Sequence, residues 1–209
     1  MPRPVDESWD RITAWLARHA PRAAARIGPP AGRAEIARAG AEVGVEPPPD
    51  LVAWWRRANG IAGPGQGPPF DLLPRHFPYT VEQALHSREI WLKVWRDDAN
   101  ERGWWAERDM AALQAAPAGT EAGMWLPGWL PIANSGGGQD LFVDLRPGPL
   151  HGCVREFDRV EADGKVLWGG VAAMLADLAQ ALESGSMTVG PYEVGVVVAD
   201  DGALYWEDL

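Results

Sequence analysis

The stretch from Trp129 to Gly148 constrains this chain more than any other. Trp129-Leu130-Pro131-Ile132-Ala133 is a short apolar run, and Gly136-Gly137-Gly138 follows it. Leu141-Phe142-Val143-Asp144-Leu145 is a second run, closed by Pro147-Gly148. Short runs bounded by turn residues predict paired strands, and glycines supply the positive φ that a tight hairpin needs. The same glycines could cradle a phosphate on backbone N–H groups. Such a loop needs a following helix N-terminus and a lysine, and the flanks supply neither. A hairpin is the reading they support.

Helical patterns lie on both sides. Trp9, Ile12, Trp15, Leu16 and His19 form one helical stripe, capped by Asp6 or Ser8 and ended by Pro21. Ile36, Ala39 and Val43 mark a second helix, stopped at Gly44. A third follows the prolines at 47–49, with Asp50 as N-cap, Leu51, Trp54, Trp55 and Ala58 buried, and Asn59-Gly60 closing it. Residues 61–69 hold too much Gly and Pro for anything but a loop, and 70–74 is a short strand candidate. Thr80 and Gln83 make a capping box for a helix carrying Val81, Ala84, Leu85, Leu92 and Trp95 on one face. From Asp97 to Gly123 the pattern breaks into what reads as an insertion with one loose helix, tacked down by Trp104, Trp105 and Trp125.

After the central hairpin, Leu150 to Phe157 reads as a strand antiparallel to its predecessor. Val166-Leu167-Trp168 is another strand, after an Asp163-Gly164 turn. Val171, Met174, Leu175, Leu178, Ala181 and Leu182 stripe the last helix, closed by Gly185. Tyr192, Val194, Val196 and Val198 alternate before Asp200-Asp201-Gly202 and Leu204-Tyr205-Trp206, a hairpin that could cover a sheet edge. The prediction is an α+β domain: N-terminal helices, a central and mainly antiparallel β-sheet, a C-terminal helix packed on it, and an extra C-terminal hairpin. At 209 residues a single core suffices. We divide the chain into an N-terminal helix at 1–28, a main domain at 29–185 with its insertion at 97–123, and a hairpin extension at 186–209.

Charge narrows the partners. Acidic residues outnumber basic ones 29 to 19, a formal charge of −10, which disfavours a nucleic-acid backbone and suits a basic protein. The N-terminus has no signal-peptide h-region and no apolar run has the length of a membrane span, so a cytoplasmic location away from membranes is expected. Cys153 is alone, which leaves no internal disulfide or cysteine zinc site, and His19, His76 and His86 show no metal-ligand spacing. No metal and no cofactor are expected.

Cys153 and His151, two apart on the expected strand, could join Asp140 or Asp144 in a triad. Same-face neighbours on one strand stand about 6–7 Å apart, however, which fits proton transfer poorly. An inert buried thiol is the better reading. Asp140, Phe142 and Asp144 share one strand face. A general acid–base pair there would need a cleft and split pKa values. A solvated face is the simpler account, and as a binding surface an acidic stripe broken by an aromatic suits a basic protein. Trp206, near an exposed end, is a further candidate contact.

These pieces in this order resemble the SUKH superfamily of Smi/Knr-type cell-wall-assembly regulators and bacterial toxin-immunity proteins. The resemblance rests on Pro29-Pro30-Ala31, Glu35-Ile36, Glu42-Val43-Gly44-Val45, Pro48-Pro49-Asp50-Leu51, Trp54-Trp55 and Asn59-Gly60. It continues through Leu73-Pro74, the Thr80–Trp95 helix, the central hairpin, Trp168 and the Val171–Leu182 helix. The segment 97–123 and the tail after Gly185 depart from it. It implies a non-enzymatic protein-binding module with no shared catalytic set. In the bacterial case that is an immunity protein occluding a toxin, often a nuclease; in the other, a regulatory or scaffolding domain.

Overall fold

The computed structural model describes residues 4–61, 71–102 and 107–209, without the side chains of 98–102 and 107–109. All of the loop expected at 61–69 except Ile61, together with Phe70, Trp104 and Trp105, lies outside the described residues. Helix α1 (Val5–His19) buries Val5, Trp9, Ile12 and Leu16, and starts directly after Pro4 rather than at a cap on Asp6 or Ser8. Pro21 ends it and opens the short α2 (Pro21–Ala24). In α3 (Arg33–Val43), Glu35 reaches back to accept from the N–H of Gly32 at 2.7 Å. Helix α4 (Pro49–Trp55) buries Leu51, Trp54 and Trp55.

Asp50 was expected to cap α4, but its carboxylate caps a helix over a hundred residues later. Its Oδ2 accepts from the N–H of Ala172 at 3.0 Å, in the first turn of α7 (Val171–Ser184). Gly170 precedes that helix, and a Cβ there would lie 2.9 Å from Asp50 Oδ2. The N-terminus of α7 carries no capping side chain of its own, so α4 supplies one. Loss of a cap costs about 1 kcal/mol. Asp50→Ala should therefore lower the stability measured by urea denaturation by about that amount, and an unchanged midpoint would show that the contact contributes nothing.

Asn59 links elements in the same way, accepting at Oδ1 from the N–H of Val81 (2.7 Å) and donating to Glu35 Oε1 (3.2 Å). With the Thr80–Gln83 box this fixes the start of α5 (Val81–Arg102). Helix α5 continues without a break through positions 97–102, where an insertion was expected, and α6 (Glu107–Ala115) follows.

Among the described residues, five antiparallel strands stand side by side in chain order: β1 (Phe77–Pro78), β2 (Trp129–Asn134), β3 (Gln139–Asp144), β4 (Val154–Asp158) and β5 (Ala162–Trp168). The candidate strand at 70–74 is absent among its described residues, where Leu73 only bridges to His76. Strand β4 begins at Val154, with 149–152 in a turn. The β4–β5 turn lies at 159–161, because Asp158 Oδ1 accepts from the N–H groups of Val160 (2.6 Å) and Glu161 (3.1 Å). Asp163 is consequently inside β5. The chain ends in a second antiparallel sheet, β6 (Ser186–Val189), β7 (Tyr192–Val198) and β8 (Leu204–Asp208).

The central sheet is covered on both faces. Leu130, Ile132, Leu141, Val143 and Val154 pack into the core shared with α1, α3, α4 and α7. Trp129, Phe142 and Phe157, on the opposite face, pack with Met124, Trp125 and Leu126, and with Trp91, Leu92 and Trp95 of α5 and Met110 and Leu113 of α6. Val81, Ala84 and Leu85 at the start of α5 join the first core, and the rest of the described α5, α6 and residues 122–126 form the second wall of a three-layer domain.

Candidate functional site

Asp140, Phe142 and Asp144 lie on one strand face, as alternation requires, but that face is the covered one. Asp140 is 1% exposed and the other two 0%. The expected solvated acidic stripe is interior, and a side chain without exposed surface cannot meet a partner of the folded domain. Trp206 is half-buried against the first core, and its indole N–H donates to the carbonyl of Asp71 at 3.0 Å. It ties the C-terminal sheet to the body.

Each buried carboxylate is satisfied. Asp140 accepts from Tyr79 Oη (3.0 Å), Ser87 Oγ (2.6 Å), Trp91 Nε1 (2.7 Å) and Asn134 Nδ2 (2.8 Å). Burial, with the charge of Asp140 beside it, pushes the Tyr79 phenol far above its ordinary range. Asp144 belongs to an ionic core. It accepts from Arg146 Nε (3.0 Å) and Nη2 (2.7 Å), with Arg155 Nη1 at 3.4 Å, and Arg155 Nη2 donates to Asp163 at 2.5 Å. Arg155 also donates to the carbonyl of Gly164, and further bonds run to the segment 113–123. Arg146 donates to the carbonyls of Leu113 and Thr120, Arg155 to that of Thr120, and Gly119, Ala122 and Gly123 donate to the two aspartates. Two aspartates and two arginines balance in charge. They hold that segment onto the sheet alongside Trp125, which was expected to do so with Trp104 and Trp105.

The cysteine chemistry fails on geometry. Cys153 is 0% exposed and its thiol is pushed up to about 11 by burial, whereas a nucleophile is a thiolate. His151 is exposed in the 149–152 turn, its Nδ1 against the carbonyl of Arg146 at 3.1 Å. The glycine turn is equally committed. Gly136 and Gly138 have φ of +75° and +103°, as a hairpin needs. The N–H of Gly136 donates to Asn134 Oδ1 and that of Gly137 to Ser135 Oγ, so neither is left for a phosphate. Among the described residues no group of three or more His, Cys, Asp or Glu could hold a metal ion, and no helix is long and apolar enough to cross a membrane.

Of the open clefts, one of about 250 Å³ between the two sheets holds titratable groups together, with His76, Glu156, Asp158, Glu161 and Tyr192 in its walls. Sequence reasoning passed over His76 as one scattered histidine. It is 4% exposed, its Nδ1 bonds to the carbonyl of Pro74 at 2.9 Å, and its Nε2 makes no hydrogen bond. Burial holds His76 below its ordinary pKa. Burial and the charge of Asp158 push the Glu156 carboxyl up.

The described residues thus form a two-sided α+β sheet domain with Cys153, Asp140 and Asp144 buried. Residues 30–177 match the SMI1 / KNR4 family (SUKH-1), and the chain belongs to that family. A comparison with curated proteins gave no match. Helix α1 and the second sheet lie outside the matched residues.

Proposed function

We propose that this protein is a regulatory or scaffolding domain of the cell-wall-assembly-regulator type, acting by holding a protein partner rather than by chemistry. The family match over 30–177 carries the reading. The sequestered state of Cys153, Asp140 and Asp144 supports it. Parts outside the matched residues then contribute to partner choice. The second sheet is the first of these, since 186–209 holds Glu193, Asp200, Asp201, Glu207 and Asp208 and no Lys or Arg, half of the formal −10.

That acidic sheet favours a second reading, an immunity protein that occludes a basic toxin domain. Cross-linking the tagged full chain in its own cells separates the two. Envelope-regulatory proteins captured in a way that Glu193→Lys with Glu207→Lys abolishes would support the first. A single basic effector, inhibited by the purified chain, would support the second. Recovery of neither would overturn both.

A further inference from the structure

The cleft between the sheets pairs two acceptors with no donor. His76 Nδ1 faces a carbonyl, which only accepts, so Nδ1 carries the imidazole proton and Nε2 presents a lone pair. Glu156 Oε2 lies 3.5 Å from that Nε2. Among the described residues no N–H or O–H donates to the Glu156 carboxylate, while Asp158 already accepts from Val160, Glu161 and Gln139. Buried polar groups are costly unless hydrogen-bonded, so the unpartnered Nε2 of the 4% exposed His76 calls for a donor, and the 37% exposed Glu156 carboxylate beside it favours a cationic one.

The charges agree. Glu156, Asp158 and Glu161 line the cleft against one cation, Arg75, which ion-pairs with Asp208 and lies 4.4 Å over the Tyr192 ring. Its charge also acts on His76 and Glu156, but its guanidinium is engaged by Asp208 and the Tyr192 ring and bonds to neither. A volume of about 250 Å³ falls below the roughly 300–1,000 Å³ of drug-sized sites and suits one side chain. A neighbouring cleft of about 590 Å³ shares Glu156, Glu161, Val189 and Tyr192 and adds Lys165, Val166, Leu167 and Pro191. A chain could lie along it.

We propose that this cleft receives one arginine side chain of a protein partner, its guanidinium donating to Glu156 Oε2 and His76 Nε2 together. Five N–H groups in a fixed plane can meet both acceptors, which a single ammonium point charge does less well. The proposal rests on the protein-binding reading but is tested without a partner. Uniformly 15N-labelled full chain is titrated with N-acetyl-arginine methylamide while the His76 imidazole nitrogens are followed by NMR. N-acetyl-citrulline methylamide serves as the neutral isostere. The expected result is a saturable Nε2 shift with arginine only, weakened about tenfold or more by Glu156→Gln, as loss of a charged hydrogen-bond partner implies. An absent shift in the unaltered chain, an equal response to citrulline, or undiminished binding by a folded Glu156→Gln would each overturn it. None of these depends on whether cross-linking finds a partner, so the two ideas fail separately.

Discussion

Asp144→Ala should destabilise the domain by about 3–5 kcal/mol, the cost of removing one partner from a buried ion pair. The substitution strips acceptors from Arg146 and the N–H of Gly119, and takes the nearest anion from one side of Arg155. Both guanidiniums are 0% exposed and cannot turn to water. The loss should also spread, because Arg146 and Arg155 hold the Thr120 carbonyl and thereby the segment that closes the second face. Urea denaturation followed by far-ultraviolet circular dichroism measures it. A cost below about 1 kcal/mol, the range of exposed pairs, would refute a desolvated network here.

The same carboxylate sets an acid limb. Burial by itself would raise the Asp144 pKa, but hydrogen bonds from Arg146 and Gly119 and the Arg146 charge outweigh it and hold it below the usual carboxylate range. A group with a depressed folded pKa stabilises above its unfolded value, about 3.9 for Asp, and that contribution is lost as pH falls through the folded pKa. Stability of the unaltered protein should therefore drop below about pH 4, and Asp144→Ala should flatten that part of the curve.

Why the first core was legible and the second was not follows from how each writes itself into the chain. Trp9, Ile12 and Leu16, or Met174, Leu175 and Leu178, repeat with the helical period, and Gly44 and Gly185 end their helices with φ of +80° and +95°. On the sheet, alternating polar and apolar residues usually mean one wet face, so Asp140 and Asp144 read as solvated. Here polar residues on adjoining strands answer one another instead. Phe142 pairs with Arg155 in register and Phe157 with Asp163, which brings Arg155 beside both Asp144 and Asp163. Register between strands is not a local property of sequence, and without it four charges look like surface.

The same limit hid the cleft. His76 precedes β1, Glu156 is on β4 and Tyr192 on β7, so no spacing connects them. The alternation of β4 did hold a clue. Arg155 and Phe157 turn to the second face, which leaves Glu156 and Asp158 on the other, under the second sheet. Reading that sheet as a mere edge cover missed that its approach to β4 leaves a polar gap.

Trp125→Ala should cost about 3–5 kcal/mol, the range for truncating a large aromatic in a packed core. Trp125 is 0% exposed, stacks on Trp91 at 5.6 Å, and meets Trp129, Phe142 and Phe157 at 5.7, 5.5 and 5.1 Å. Its removal leaves a void bordered by rings from α5 and three strands, and rings of that size cannot collapse together without moving those elements. Trp125→Phe should cost well under half as much. It keeps a ring among rings, and it deletes an indole N–H that is buried without a hydrogen-bond partner, an arrangement that itself costs about 1–3 kcal/mol. The ordering therefore reports on two terms at once, lost packing against a relieved donor. If both variants unfold at the same urea concentration, the indole N–H is not a liability. If Trp125→Ala behaves like a surface substitution, within about 0.5 kcal/mol, the second face is not a packed core, and polar contacts hold that layer on the sheet: those of Ser87 and Trp91 to Asp140, and the Asp144–Arg146–Arg155–Asp163 network.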